Sequence, residues 1–449
     1  MKRRTFMKSA AAAAFTFHII PRHVLGGEAG PAPSDKLNIA GVGVGGQGGG
    51  DLADPAIGGD PTKGKIAENI VALCDVDEPR AAGTRGRFPK AEFFKDYRVM
   101  LEKVKGIDAV LCGTPDHMHA PVALAAMRLG KHVYVEKPMC HTIEEARLMT
   151  KVAKDGNLVT QMGNQGHGGE GLRQTKEWIQ SGIIGKVKEV HCWSDRPGKW
   201  WPQPVKHPTE TPPVPAGLDW DLWLGPAPER PYNPAYCPVK WRGFYDFGNG
   251  AMGDMAVHNM DPAFYALDLD VPISTDAEVS EKQEECFPTW EIITYNFAAK
   301  GDRPAVWIKW YDGGKQPARP EELDEGLKLE DNGIFFRGEK GVILCPGWAG
   351  QPRLFPRELR KTFEQPAKTI PRGPGHRVEW VKACKEKKPQ DAKAGFWYSG
   401  PYVESLLLGN LAARLGKKIE WDAANMKATN APEAEPFIKK TYRKGFGIA

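Results

Sequence analysis

The stretch Ile39-Ala40-Gly41-Val42-Gly43-Val44-Gly45-Gly46-Gln47-Gly48-Gly49-Gly50 decides how this chain is read. It follows the strand-like Lys36-Leu37-Asn38 and contains a Gly-x-Gly-x-x-Gly pattern at Gly41, Gly43 and Gly46. Each glycine has its own physical task. Gly41 lets a buried strand turn tightly toward a helix. Gly43 lacks the Cβ that would hold a pyrophosphate away from the backbone, and Gly46 lets the helix pack close to the strand. The helix start then offers unpaired N–H groups and the positive end of its dipole to phosphates. A glycine-rich linker produces the same letters by chance, so context carries the inference. Apolar and β-branched residues precede the motif, and strand–helix alternation follows it. The expected ligand is a dinucleotide.

Reading outward, an insertion rich in Gly, Pro and Asp runs to about residue 65, and 69–74 reads as a strand ending at Asp75. A carboxylate there accepts hydrogen bonds from ribose hydroxyls and repels a 2′-phosphate, which favours NAD; Arg80 softens that preference and leaves NADP open. The insertion explains why Asp75 lies beyond the usual offset of about 20 residues. Strands are expected at 92–94, 108–112, 132–135 and 158–162, with helices at 80–87, 97–103, 120–129 and 143–154. Such alternation argues for a doubly wound parallel sheet whose ligands sit beyond the carboxyl ends of the strands. Gly43, Asp75, Thr114 and Lys137 all fall at such ends and should line one crevice.

The chain has 449 residues and a formal net charge of +5, enough length for two domains. It opens with Lys2-Arg3-Arg4-Thr5-Phe6-Met7-Lys8 and an alanine-rich apolar run closed by Pro21, the pattern of a twin-arginine export signal. That run is too short and too weakly apolar for a permanent anchor. The expected location is periplasmic, or otherwise exported by this route. Residues 1–30 hold five cations against Glu28, so the rest of the chain is near neutral and nucleic acid is not an expected partner. The eight cysteines are scattered and their spacing names no disulfide. Asp116-His117-Met118-His119 has short-range metal ligands but no matching second cluster, so no metal is expected.

From Trp193 the composition changes. Trp193, Trp200, Trp201, Trp220, Trp223 and Trp241 are interleaved with prolines and with Asp195, Arg196, Lys199, Lys240 and Arg242. Indole faces stack on sugar C–H faces, although most tryptophans fill cores. Trp193, Arg196 and Trp201 are the substrate-pocket candidates, with Gln165 after strand six; His167 reads as part of a polar loop. Paired strands are expected at 291–297 and 305–310, a hairpin at 334–345, and closing helices at 377–386 and 402–415.

Gly41-x-Gly43-x-x-Gly46, Thr114-Pro115-x-x-x-His119 and Glu136-Lys137-Pro138 together resemble the Gfo/Idh/MocA oxidoreductases, and the likeness continues through 185–191 and 250–261. The resemblance implies a Rossmann domain over 34–165, after a signal and linker at 1–33. It implies an α/β domain with a large, mostly antiparallel sheet over 166–449, which often packs against a partner subunit to form a homo-oligomer. Cofactor contacts are then expected from Thr114, Pro115, His119, Glu136 and Lys137, although His119 alone reads as a helix-terminal or packing residue. The family's catalytic set falls on Lys137, Asp254 and His258.

The residue chemistry agrees. Asp254 and His258 are four apart and share a face if helical. An imidazole suits removal of a hydroxyl proton, and an ammonium steadies charge developing on the oxygen. Asp254 is expected to orient the imidazole or hold a substrate hydroxyl. The expected function is oxidation of a secondary hydroxyl of a sugar, polyol or glycoside, with tightly held cofactor. The alternatives are an NAD-dependent glycoside hydrolase that oxidises transiently and eliminates, and a non-catalytic nucleotide- or sugar-binding protein.

Overall fold

The computed structural model describes residues 35–203 and 208–448; the leader reading at 1–33 lies outside them. The unit Asn38–Ala449 carries both large sheets. The first is built from β1 (Asn38–Val42), α1 (Gln47–Leu52), β2 (Asn69–Cys74), α2 (Glu78–Arg87), β3 (Glu92–Phe94), α3 (Tyr97–Lys103), β4 (Ala109–Cys112), α4 (His119–Arg128), β5 (His132–Val135), α5 (Ile143–Asp155) and β6 (Thr160–Met162). Its strand order is β3-β2-β1-β4-β5-β6, every pair parallel. The direction of winding reverses between β1 and β4, which opens a crevice at their carboxyl ends. Residues of β4 are buried throughout, as a strand covered by helices on both faces must be. Thr142 and Glu145 form a reciprocal capping box that starts α5, a device worth about 1 kcal/mol.

The second sheet comprises β7 (Val187–Trp193), β8 (Ser274–Val279), β9 (Glu291–Phe297), β10 (Val306–Tyr311), β11 (Gly333–Gly338), β12 (Val342–Pro346), β13 (Arg353–Phe355), β14 (Ile419–Asp422) and β15 (Lys427–Ala428). Its order is β13-β12-β11-β7-β10-β9-β8-β14-β15, with β7 and β10 the parallel pair in an otherwise antiparallel sheet. In β9 the alternation is clean. Glu291, Ile293, Tyr295 and Phe297 are buried, while Ile292, Thr294 and Asn296 are half-exposed.

Helix α6 (Glu170–Gln180) packs against α7 (Asp261–Leu267). Helix α8 (His376–Glu386) precedes α9 (Phe396–Leu415), which joins the two sheets by packing on both α5 and β8. Helix α9 is 20 residues long, about 30 Å. It begins six residues earlier than its pattern suggests. Gly400-Pro401 reads as a stop, yet Phe396 and Ser399 are fully buried, and packing overrides the local signal. Leu406, Leu407, Leu408 and Leu411 on this helix are buried in the main core. The eight cysteines are all unpaired and buried, Cys74 and Cys112 within β2 and β4. No helix among the described residues is long and apolar enough to cross a membrane.

Candidate active site

A cavity of about 480 Å³ opens at the carboxyl ends of β1, β2, β4 and β5. Gly43 and Gly46 line it, with Asp75, Thr114 and Pro115 beside them. Gly43 has φ +75°, and a Cβ there would stand 2.6 Å from the Thr114 backbone nitrogen. Glycine is therefore required both by conformation and by the approach of the next strand end. The helix-packing role expected of Gly46 belongs instead to Gly48. A Cβ on Gly46 would meet nothing nearer than Arg80 Nη2 at 3.7 Å, whereas one on Gly48 would strike the Gly43 carbonyl and lie 3.2 Å from Gly113 Cα. Gly41 lies in β1, off the cavity wall, where a Cβ would press on Val44 and Leu52. Asp75 Oδ2 accepts the Gly45 N–H at 2.7 Å and Oδ1 accepts the Asp77 N–H at 2.9 Å. Burial raises its pKa, and these backbone donors oppose the rise. The carboxylate thus ties the glycine loop while it lines the cavity. Arg80 and Lys95 line the same end.

His119 does not line this cavity. Its ring is buried between the Pro138 carbonyl, 2.6 Å from Nδ1, and the Thr114 carbonyl, 2.8 Å from Nε2. It holds the two strand-end loops together and offers no nitrogen to a ligand. His117 is likewise spent on the Phe247 and Trp223 carbonyls.

Lys137 and His258 line the same cavity, far apart in sequence. Lys137 Nζ lies 2.8 Å from Asp254 Oδ1, and Arg196 Nη1 lies 2.6 Å from Asp254 Oδ2. Arg242 Nε is 3.7 Å from Oδ1. Burial alone would raise the pKa of Asp254. Lys137, Arg242 and Arg196 outweigh it and hold the carboxyl well below the usual carboxylate range. Arg242 also faces Asp116 at 3.6 Å and Arg196 faces Asp195 at 3.8 Å, so the charges of the cluster are matched. Lys137 is the cation it fixes on the cavity wall, where an ammonium steadies charge developing on a substrate oxygen. Asp254 sits in a π-helical turn, Met252–Ala256, and His258 in the short α-turn that follows, Val257–Asn259. Asp254 does not orient the imidazole. The wide turn directs it to Lys137 and Arg196, and a different residue holds His258.

That residue is Asn164, just beyond β6. Its Nδ2 donates to the Val257 carbonyl at 3.0 Å and to Asp261 Oδ2 at 3.1 Å, which leaves Oδ1 as the acceptor facing His258 Nδ1 at 2.7 Å. His258 must therefore carry its proton on Nδ1, and Nε2 has the free lone pair. Burial first, then the nearby Lys137 charge, lowers the His258 pKa to about 3, so the ring is neutral near pH 7. Behind Asn164, Asp261 also binds His167 Nδ1 at 2.9 Å and Tyr398 Oη at 2.5 Å. His167 belongs to this buried network rather than to an open loop.

Glu136 and Gln165 line the cavity next to Lys137, with Gln165 Nε2 3.4 Å from Glu136 Oε1. Burial and the neighbouring Asp51 raise the Glu136 pKa to about 8. Of the tryptophan-rich candidates, two belong to cores. Trp193 is 1% exposed, packs against Phe335 and Leu344, and donates its indole N–H to the Glu330 carbonyl. Trp201 is 5% exposed, its N–H held by Gln203. Arg196 stands behind the wall, paired with Asp254 and stacked 3.6 Å from the Trp200 ring. Trp223 and Trp241 line the cavity as buried side chains, and the exposed tryptophan on its wall is Trp348, 47% exposed, its ring 6.3 Å from that of His258. Trp348 and Ala349 both have positive φ, +58° and +55°. Consecutive left-handed residues of this kind persist only where the surroundings hold them; here the Trp348 N–H donates to Asn259 Oδ1 at 3.1 Å. Asn164 and Trp348 escape sequence reading, and Arg242 is legible only as one of the charged residues interleaved with the tryptophans. Only Asn164 had a usable signal, its place at a strand's carboxyl end.

Residues 37–164 match the profile described as the oxidoreductase family, NAD-binding Rossmann fold, and 169–303 match the C-terminal alpha/beta domain of the same family. The chain is 26% identical over 201 residues to levoglucosan dehydrogenase of Pseudarthrobacter phenanthrenivorans, which is 43% of this chain and 42% of that one. It is 31% identical over 124 residues to inositol 2-dehydrogenase of Salmonella typhimurium, 27% of this chain and 37% of the relative. The matches thus span about two fifths of these relatives' own length.

Two solved structures share the fold. The WlbA dehydrogenase of Bordetella pertussis, in complex with NADH and UDP-GlcNAcA, has a TM-score of 0.55 at 18% identity, covering 86% of this chain and 99% of that one. The inositol dehydrogenase homolog of Azotobacter vinelandii, complexed with NADH and myo-inositol, scores 0.53 at 15% identity over 86% and 98%. With both halves matched in order across more than half its length, the chain belongs to the Gfo/Idh/MocA family of NAD-binding oxidoreductases.

Proposed function

We propose that this protein oxidises a secondary hydroxyl of a sugar, polyol or glycoside, using a nicotinamide dinucleotide held at the glycine loop. The observation that carries this reading is the pairing of Lys137 with Asp254 at 2.8 Å on the cavity that His258 also lines. The residues fit the cofactor. Gly43, Gly45 and Gly46 line the cavity with backbone alone, and Asp75 stands at the end of β2. A bound nicotinamide supplies the hydride acceptor. His258 Nε2 takes the hydroxyl proton; burial keeps the ring neutral at pH 7 but also weakens it as a base, so the transfer depends on Lys137 steadying the oxygen. Lys137, fixed by Asp254, holds the oxygen as it gains negative charge. Trp348 forms an apolar face for the sugar ring, and Gln165 reaches the same space with its amide.

NAD is preferred over NADP, because the Asp75 carboxylate would repel a 2′-phosphate; Arg80 and Lys95 temper that preference. Export through the leader at 1–33 would separate the enzyme from a free nicotinamide pool, which favours slow cofactor release. The half-exposed face of the second sheet, including Ile292 and Trp307, is the surface for a homo-oligomer.

Incubation with NAD and a panel of sugars, polyols and nitrophenyl glycosides tests the reading. Reduced nicotinamide should accumulate with at least one sugar or polyol. Aglycone release without net reduction would favour the hydrolase alternative, and no reaction or binding with any member would contradict the proposal.

A further inference from the structure

A second cavity, of about 290 Å³, shares no lining residue with the first. Helix α9 forms one wall, and segments 141–143, 226–228, 245–249 and 436–441 with Phe287 form the others. Arg414 projects from α9 into its lining. The guanidinium carbon lies 4.3 Å from the Tyr245 ring centre and 4.0 Å from that of Phe437. Rings stacked on a guanidinium leave its N–H edge to be satisfied by something else. Among the described residues Arg414 has no hydrogen-bond or ion-pair partner, and burial already pulls its pKa below the ordinary guanidinium value.

The other charges around the cavity are matched. Lys440 Nζ pairs with Glu145 at 2.7 Å and faces His141 Nδ1 at 3.3 Å, and Asp246 is held by Arg230. Asp246 also acts on Arg414 from beyond contact distance, but among the described residues no carboxylate pairs with the guanidinium edge. A second polar group is unmatched as well. Asn410 donates its Nδ2 to Asn249, while its buried Oδ1 accepts from no described group. A buried acceptor without a donor costs about 1–3 kcal/mol unless a ligand or water supplies one.

We propose that this cavity is a binding site for a small hydroxy-carboxylate. The carboxylate pairs edge-on with Arg414, a hydroxyl donates to Asn410 Oδ1, and the carbon face lies against Leu407, Leu411 and Phe437. A planar carboxylate matches the two-pronged guanidinium edge. One negative charge balances the one unpaired cation, whereas a phosphate dianion would bring a second charge against apolar walls. A neutral polyol would leave Arg414 unpaired. The site is independent of the catalytic reading given above.

Titration calorimetry of the full chain with D-gluconate tests this, with D-glucitol and inorganic phosphate as comparators. Saturable one-to-one binding of gluconate is expected for the wild type and, at the same affinity, for Lys137→Ala. Arg414→Gln should weaken it by about 30-fold or more, the usual loss for one member of a buried charged pair. Glucitol and phosphate should show no binding component that Arg414→Gln removes. No saturation, equal affinity in Arg414→Gln, loss in Lys137→Ala, or a glucitol or phosphate component that Arg414→Gln removes would each overturn the proposal. Should Arg414→Gln fail to fold, Arg414→Lys decides. It keeps a cation between the rings but loses the planar fork, so affinity should drop about tenfold; unchanged affinity would refute the assignment.

Discussion

Asn164 Oδ1 stands 2.7 Å from His258 Nδ1, and the two donor bonds on the other side of the Asn164 amide leave that oxygen no alternative orientation. The contact selects the imidazole tautomer whose Nε2 is free to accept a proton. Asn164→Leu removes the selection while leaving Lys137, Asp254 and the glycine loop in place. We expect kcat to fall by about 100-fold or more with KM changed far less, since losing the orienting partner of a catalytic histidine elsewhere costs about 10⁴. Steady-state kinetics with a substrate identified from the sugar panel checks this; an unchanged kcat would assign Asn164 to packing alone.

Burial sets the pH behaviour of His258. Its pKa is about 3 in the folded chain, against about 6.5 when unfolded. Between those values the unfolded state binds a proton that the folded state does not, so stability rises with pH across the window. This contribution is fully present above about pH 6.5 and is lost as pH falls toward 3. Thermal unfolding of wild type and His258→Gln from about pH 4 to 8 should show the wild-type Tm falling more steeply below about pH 6.5. Parallel curves would mean that the ring is not held neutral.

Gly43→Ala places a methyl against the Thr114 backbone and forces a left-handed conformation, which alone costs about 1–2 kcal/mol. Dinucleotide affinity should fall at least about 100-fold, with Tm lower by several degrees, measured by fluorescence titration and melting. Gly46→Ala, with no atom closer than 3.7 Å to the added Cβ, should fold with near wild-type stability. Equal destabilisation by the two substitutions would undo the distinction drawn between these glycines.

Asp75→Ala should narrow cofactor discrimination. The carboxylate faces the cavity end that Arg80, Lys95, Asp77 and Asp96 also line, and Lys95 is paired with Glu78 at 2.8 Å, so the substitution removes one of three carboxylates there and leaves Arg80 less opposed. The ratio of kcat/KM for NAD to that for NADP should drop by at least about tenfold. A ratio that does not move would mean that Asp75 serves the glycine loop alone, through Gly45 and Asp77.

The Rossmann half was legible because each of its strands is a short apolar run ending at a turn or a charged residue. Segments 69–74, 92–94 and 132–135 coincide with β2, β3 and β5. The second sheet was legible where alternation is strict, as at 291–297, which coincides with β9. The first turns of α9 were not, because Gly400 and Pro401 carry a breaker signal that burial of Phe396 overrides. Trp193 and Trp201 were misplaced for a different reason. An indole suits a sugar face and a core equally, and only exposure separates the two. Asn164, Arg242 and Trp348 act through contacts made across the chain, and no local spacing encodes those. Lys137, Asp254 and His258 are proposed on the family resemblance, and the partners of each, Arg196 for Asp254 and Asn164 for His258, emerge only from the fold.

The most direct test is a single-turnover experiment on purified protein loaded with NAD, mixed with excess substrate from the sugar panel and followed by reduced-nicotinamide absorbance. The wild type should give a rapid rise. Lys137→Ala, which removes the ammonium held 2.8 Å from Asp254, should slow that rise by about 1,000-fold while retaining cofactor. An undiminished rate in Lys137→Ala would contradict the account, because the amino group would then have no part in the hydride-transfer step.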